Sequence, residues 1–186
     1  MGATKSTKEP EYIRKLSKEE SQQLKLLCEL STEIRGKFLD QAIPIEWIID
    51  DIISQHFCPE ETRRMLYFSS VPPELTFFSK TRIFKTILEI CYPDLLEKHH
   101  NVMKEIEKIR NFRNKIAHSI LEATPNFLKN GYNDRIRLGY YEKGEKKCLV
   151  VKKEDIKEKL KACSRVLIAL KDVQKEVIQR VQTKKE

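Results

Sequence analysis

The chain has 186 residues, 40% of them hydrophobic and 34% charged, which places it among soluble globular proteins with one domain as the expectation. Its formal charge of +8 is spread along the sequence rather than gathered in a tail, a balance that favours a polyanionic partner, most commonly nucleic acid. No apolar run approaches the roughly 20 residues of a membrane-spanning helix, and the polar run from Thr4 to Glu11 leaves no export-type apolar segment. A cytoplasmic address without a membrane partner is therefore expected.

Residues 1–16 carry no apolar periodicity and are expected to form a flexible N-terminal tail, leaving 17–182 as a single helical domain. Met1-Gly2-Ala3-Thr4-Lys5-Ser6 fits the short N-myristoylation pattern, which is too permissive to carry weight. Ser17-Lys-Glu-Glu20 is a capping box, and Leu24, Leu27, Leu30, Ile34 and Phe38 place one apolar face on the helix it opens. Pro44 suits a first helical position, so a second helix is expected from there, with Ile45, Ile48, Ile49, Ile52, Ile53 and Phe57 on its wide apolar face and Trp47 on its flank. Pro59, Glu60 and Glu61 begin a short third helix that Val71-Pro-Pro73 ends. Ile83, Phe84, Ile87, Leu88 and Cys91 mark a fourth, interrupted by Tyr92-Pro93. A long fifth helix should run from about Asp94 to about Leu121.

The pattern then changes. Pro125 and Asn130-Gly131 break the helix, and Ile136, Leu138 and Tyr140 alternate with Arg135, Arg137 and Tyr141 as one strand of a hairpin. Its turn is Glu142-Lys-Gly-Glu-Lys146 and its return strand Cys148 to Val151. A last helix repeats Ile156, Leu160, Cys163, Leu167, Leu170, Val177 and Val181 at mostly helical intervals. The expected fold class is all-α: a bundle of five to six helices with a small β-hairpin inserted before the last.

Cys28, Cys58, Cys91, Cys148 and Cys163 are odd in number and form no Cys-x-x-Cys pair, so neither a disulfide framework nor a zinc site is suggested. They read as reduced, mostly buried thiols. His99-His100 reads as a solvated helix face, because adjacent helical residues point about 100° apart. No metal and no cofactor is expected.

The fifth helix carries the stretch "IRNFRNKIAHS". Taking Ile109 as reference, Val102, Ile106, Phe112, Ile116 and Ile120 fall within about 60° and form a core stripe. Arg113 lies at about 40°, Asn114 at about 140°, His118 at about 180° and Asn111 at about 200°. His118 therefore points away from the core, in the company of Arg110, Asn111, Asn114 and Lys115. A histidine so placed in a monomer is usually just solvated. A second copy of the chain laid over that face would shelter it, where an imidazole does useful proton chemistry. With 11 arginines and 4 histidines, arginine five places before histidine arises by chance about 0.24 times (11 × 4/186).

Arg113-Asn114-Lys-Ile-Ala-His118 resembles the Arg-x4-6-His motif of the HEPN superfamily, in which a polar residue often follows the arginine. The upstream "FLDQAIPIEWIIDDII" and "LTFFSKTRIF" are similar to earlier helices of such domains, so the likeness covers roughly residues 20–182. The resemblance implies a homodimeric, metal-independent endoribonuclease of the kind found in toxin–antitoxin and antiviral defence systems, with RNA as substrate and a cognate antitoxin or defence-system protein as a further partner. Carried over, Arg113 would bind the scissile phosphate, Asn114 would orient it or the histidine, and His118 would act as acid or base, with Arg110, Asn111 and Lys115 as substrate-binding neighbours. One family subset extends the motif to a tyrosine two places beyond the histidine. Here that position is Ile120.

RNA can be cleaved without a metal because its own 2′-hydroxyl is the nucleophile, leaving the protein to move protons and stabilise charge on phosphorus. Imidazole, with an ordinary pKa of ~6.5, and a forked guanidinium suit those tasks. Glu46 and Asp50 share a helix face and could support the site, but an exposed or capping role is the expectation. The alternative of a different class is a non-catalytic helical dimer that binds nucleic acid or a partner protein, with Arg113 packed along the core edge and its head tied to a carboxylate.

Overall fold

The computed structural model describes residues 16–129 and 134–183. The expected tail, with its myristoylation pattern, lies outside the described residues except for Leu16, as do Asn130 and Gly131. The described residues are mostly helical, with seven helices and a three-stranded antiparallel sheet placed before the last helix.

Helix α1 spans Lys18–Phe57 and opens on the capping box: Ser17 Oγ accepts from the Glu20 amide at 3.1 Å, and Glu20 Oε2 accepts from the Ser17 amide at 2.9 Å. The two helices expected on either side of Pro44 are thus one. Their apolar stripes share a phase, because Ile34, Phe38, Ala42, Ile45, Ile49 and Ile52 are all buried in one line. Proline removes the amide that would bond the Asp40 carbonyl. Asp40 is exposed, so water can serve that carbonyl and the helix continues.

Helix α2 (Glu61–Ser70) buries none of its residues, and a 3-10 turn, Pro72–Glu74, leads from it towards α3 (Phe77–Cys91). The Thr76 side chain caps α3 by accepting from the Ser79 amide at 3.2 Å. The expected long fifth helix is divided into α4 (Pro93–Lys98) and α5 (His100–His118), since His99 leaves helical geometry at φ −113° and ψ 29°. His99 is half-buried, with an unpartnered Nε2, and not the solvated residue expected. α5 also stops short of Leu121. Ile120 and Leu121 form strand β1, paired with Gly139 and Leu138 of β2 (Arg135–Glu142). Ile120, expected in the core stripe, is consequently 72% exposed.

A short α6 (Pro125–Lys129) precedes β2. β3 (Glu145–Lys152) returns antiparallel through a two-residue turn, with Lys143 at φ 53° and Gly144 at φ 81°. Two successive positive φ angles make the tight reversal that matches strand twist, so the hairpin is longer and its turn shorter than expected. Ile136, Leu138 and Val151 bury one face of the sheet. The closing helix α7 (Lys153–Thr183) packs along α1 through Cys163, Val166, Leu170, Val173 and Val177, spaced alternately by three and four. Leu160, Leu167 and Val181 lie half-buried beside that seam rather than in it.

The expectation of mostly buried thiols fails for the cysteines. Only Cys163 is buried; Cys28, Cys91 and Cys148 are exposed and Cys58 is intermediate. Burial pushes the Cys163 thiol up to about 11, which leaves it protonated and inert at neutral pH. No helix among the described residues is long and apolar enough to cross a membrane.

Candidate functional site

α5 carries the motif. Ile106, Ile109, Phe112 and Ile116 are buried as its core stripe, whereas Asn111, Asn114 and His118 are exposed on the outward side. The chain leaves the helix directly after His118, where Ser119 is extended and its carbonyl accepts from Arg35 Nη2 at 3.0 Å. Lys115 and His118 therefore occupy the last turn, where the free carbonyls of a helix favour positive charge.

Because β2 is drawn alongside α5 by its pairing with β1, the imidazole opens onto a cleft and not onto bulk solvent alone. The cleft encloses about 540 Å³ between Asn111, Asn114, Lys115 and His118 of α5 and the run Gly139 to Glu142 of β2. Lys115 Nζ sits 5.1 Å from the centre of the Tyr140 ring, a cation–π contact. Tyr141 is 73% exposed at the rim. Both tyrosines escaped the reading of the sequence as site residues. Their strand pattern was visible, but nothing local in the sequence puts that strand beside α5.

Arg113 is not in this cleft. It lies across the helix in a second cavity of about 650 Å³. There its Nη2 stands 3.9 Å from Glu46 Oε2, while its Nη1 donates to Asn114 Oδ1 at 3.3 Å. Asn114 thus joins the two cavities, lining one and bonded to the arginine of the other. Arg110 lines neither cavity, although its Nη2 donates to Asn111 Oδ1 of the cleft at 3.3 Å. Its guanidinium lies 4.8 Å over the Phe78 ring and 3.6 Å from Glu107.

The floor of the second cavity corrects the reading of Glu46 and Asp50 as exposed or capping residues. Asp50 is 5% exposed and Lys80, from α3, 6%. Lys80 Nζ donates to Asp50 Oδ2 at 2.7 Å and to Glu46 Oε1 at 2.9 Å. Burial raises the Asp50 pKa, and its hydrogen bond with Lys80 works the other way. Burial also works against the Lys80 ammonium, but the bonds to Asp50 and Glu46 outweigh it and hold that pKa up. One ammonium therefore serves two carboxylates in a nearly dry setting. Lys80 was not singled out, though its position carries a signal: it stands in the stripe Phe77, Lys80, Thr81, Phe84, Ile87, where a cation must find partners.

Comparison with known proteins decides nothing further: no family model, no curated protein and no solved structure matches the chain.

Proposed function

We propose that the chain is a metal-independent endoribonuclease of HEPN type, active as a homodimer with a composite site. The observation that carries this reading is His118 in a polar, accessible cleft with Asn111, Asn114 and Lys115, on the face of α5 opposite its buried stripe. Ile120 and Tyr141 flank that face, 72% and 73% exposed, and offer apolar anchors to a second copy or to bases of a single strand.

In the proposed reaction the RNA 2′-oxygen attacks the adjacent phosphorus. The new bond is O2′–P, the bond broken is P–O5′, and the product ends are a 2′,3′-cyclic phosphate and a 5′-hydroxyl. His118 takes the 2′ proton or supplies the proton that the leaving 5′-oxygen needs. A two-fold dimer that apposes the outward faces would bring the partner's His118 to the same cleft, one imidazole serving as base and the other as acid, while Arg113 would have to swing from Glu46 round the edge of α5 for its guanidinium to meet the phosphorane oxygens.

One observation favours the second reading, a non-catalytic dimer that binds nucleic acid or protein: Arg113 already faces a carboxylate of its own chain, Glu46, at 3.9 Å. The test is incubation of purified protein with labelled structured RNA in excess EDTA, beside a His118→Ala control. Cleavage in EDTA that leaves cyclic phosphate ends and vanishes in the control is expected. Ends bearing 3′-hydroxyl, or activity only after divalent metal is added, would remove the reading.

A further inference from the structure

The Arg113 cavity is built unlike the His118 cleft. Its floor is the buried ion cluster of Lys80, Asp50 and Glu46, and its walls are apolar and partly flat: Trp47, Phe68 and the Pro72-Pro73 turn. Trp47 is 69% exposed and Phe68 37%. An indole left open to solvent beside a buried ion cluster sets a flat apolar face next to charges that are costly to dehydrate. Both suit a flat heteroaromatic ligand that covers the ring and uses the floor.

The floor is also selective. Its two carboxylates and two cations sum to zero, so it does not attract a bare anion. Glu46 Oε2 is beyond hydrogen-bond reach of Arg113 at 3.9 Å, which leaves it an acceptor facing the cavity. A carboxylate beside a cation matches a ring edge that carries N–H donors next to a carbonyl. Among nucleobases guanine carries two such donors beside its O6, and it has the large face that stacks on an indole. Arg113, at the edge of the same cavity, can then meet a phosphate of the strand that carries the base.

We infer that the Trp47–Phe68 cavity is a nucleobase subsite selective for guanine, next to the phosphate-binding Arg113. It rests on the ribonuclease reading for the source of the base, an RNA strand that passes from this cavity over Asn114 to the His118 cleft.

Trp47 is the only tryptophan, so its fluorescence reports on the cavity directly. Guanosine 5′-monophosphate titrated into the full chain should quench it saturably, and uridine 5′-monophosphate should bind about tenfold more weakly, for want of a second donor and a stacking face. Phe68→Ala, on a helix with no buried residue, should weaken guanosine monophosphate about tenfold without harming the fold. Glu46→Gln should bring the two nucleotides within about threefold of each other. His118→Ala should change none of this. No saturable quenching at millimolar nucleotide, equal binding of the two nucleotides by the native chain, or indifference to Phe68→Ala overturns the subsite. Binding without any RNA cleavage leaves the subsite standing and sinks the ribonuclease reading. His118-dependent cleavage without binding does the reverse.

Discussion

Lys80→Met tests the ion cluster under the Arg113 cavity. Methionine fills most of the lysine stem's volume, so the change removes the ammonium and little packing. Asp50, 5% exposed, and Glu46 beside it then face each other without their shared cation. Breaking a buried pair by removing one partner costs about 3–5 kcal/mol. Glu46 keeps some access to solvent and a guanidinium at 3.9 Å, which argues for the lower end, ~3 kcal/mol at pH 7. For a chain of this size that corresponds to a fall in Tm of roughly 6–12 °C. The pH dependence is the sharper test. Asp50 already has a raised pKa, so its contribution favours the fold at low pH and is lost as pH rises through the folded value. Without Lys80 that value rises further, and more is lost. The deficit of the variant should therefore shrink as pH is lowered from 7 to about 5, where buried carboxyls take up protons. Lys80 itself contributes nothing to that slope. Its raised pKa makes its stabilisation constant below the ordinary lysine value and lost only in strong alkali. Urea unfolding followed by circular dichroism at the two pH values gives both numbers. A deficit under about 1 kcal/mol, or one that stays constant with pH, would refute the claim that this ammonium holds the buried Asp50 and the half-buried Glu46 together.

Arg113→Lys keeps the charge but cannot present two parallel donors to phosphate oxygens, so RNA cleavage should fall about a hundredfold; near-native cutting in a gel assay would remove the guanidinium role. Asn111→Glu places an acid at the mouth of the His118 cleft and should weaken both self-association, measured by sedimentation equilibrium, and cleavage, each by about tenfold, with helix content unchanged. A native chain that is monomeric at micromolar concentration and still cuts RNA through His118 would end the shared-site scheme. Arg180 grips Asp94 with two bonds of 2.8 and 2.6 Å and holds its pKa down at about 2. Such a depressed carboxyl stabilises above its unfolded pKa of ~3.8. The difference in urea midpoint between native and Asp94→Asn protein should therefore close as pH falls from about 4 to about 2, and a difference that ignores pH would show the pair to be irrelevant.

What the sequence made legible was what helical periodicity encodes. The buried stripe of α5 and the outward station of Asn111, Asn114 and His118 follow from 100° steps alone, and the structure places them so. At Pro44 a local helix-start signal competes with a longer-range one, and the longer-range one wins. The stripe Ile34, Phe38, Ala42, Ile45, Ile49 runs through it at helical spacing, and buried contacts along that line outweigh one missing hydrogen bond. β1 had no comparable signal. A two-residue strand has no period, and Ile120 leaves the helix only because Gly139 and Leu138 offer it a ladder. The ion cluster lay between these extremes: Glu46 and Asp50 share a face by spacing, but their partner comes from another helix, 30 residues away from Asp50 in sequence.

Arg113 and His118 are five residues apart, so their Cα atoms differ by about 7.5 Å along the α5 axis and about 140° around it. On a helix of radius ~2.3 Å that puts the Cα atoms roughly 9 Å apart, with side chains that diverge. Within one chain the two side chains line separate cavities joined through Asn114 and do not converge on one point. In the proposed single-phosphate reaction a second α5 would bring its own outward face, with a second His118, to the cleft. A longer single strand can be bound without that second copy, because one of its nucleotides can occupy the Trp47 cavity while another reaches His118. On the proposed reading, dimerisation would fall to the outward face of α5 and nucleotide binding to the α1–α2–α3 cavity that Arg113 edges. A chain that binds guanosine monophosphate as a monomer, and cuts RNA only as a dimer, would satisfy both.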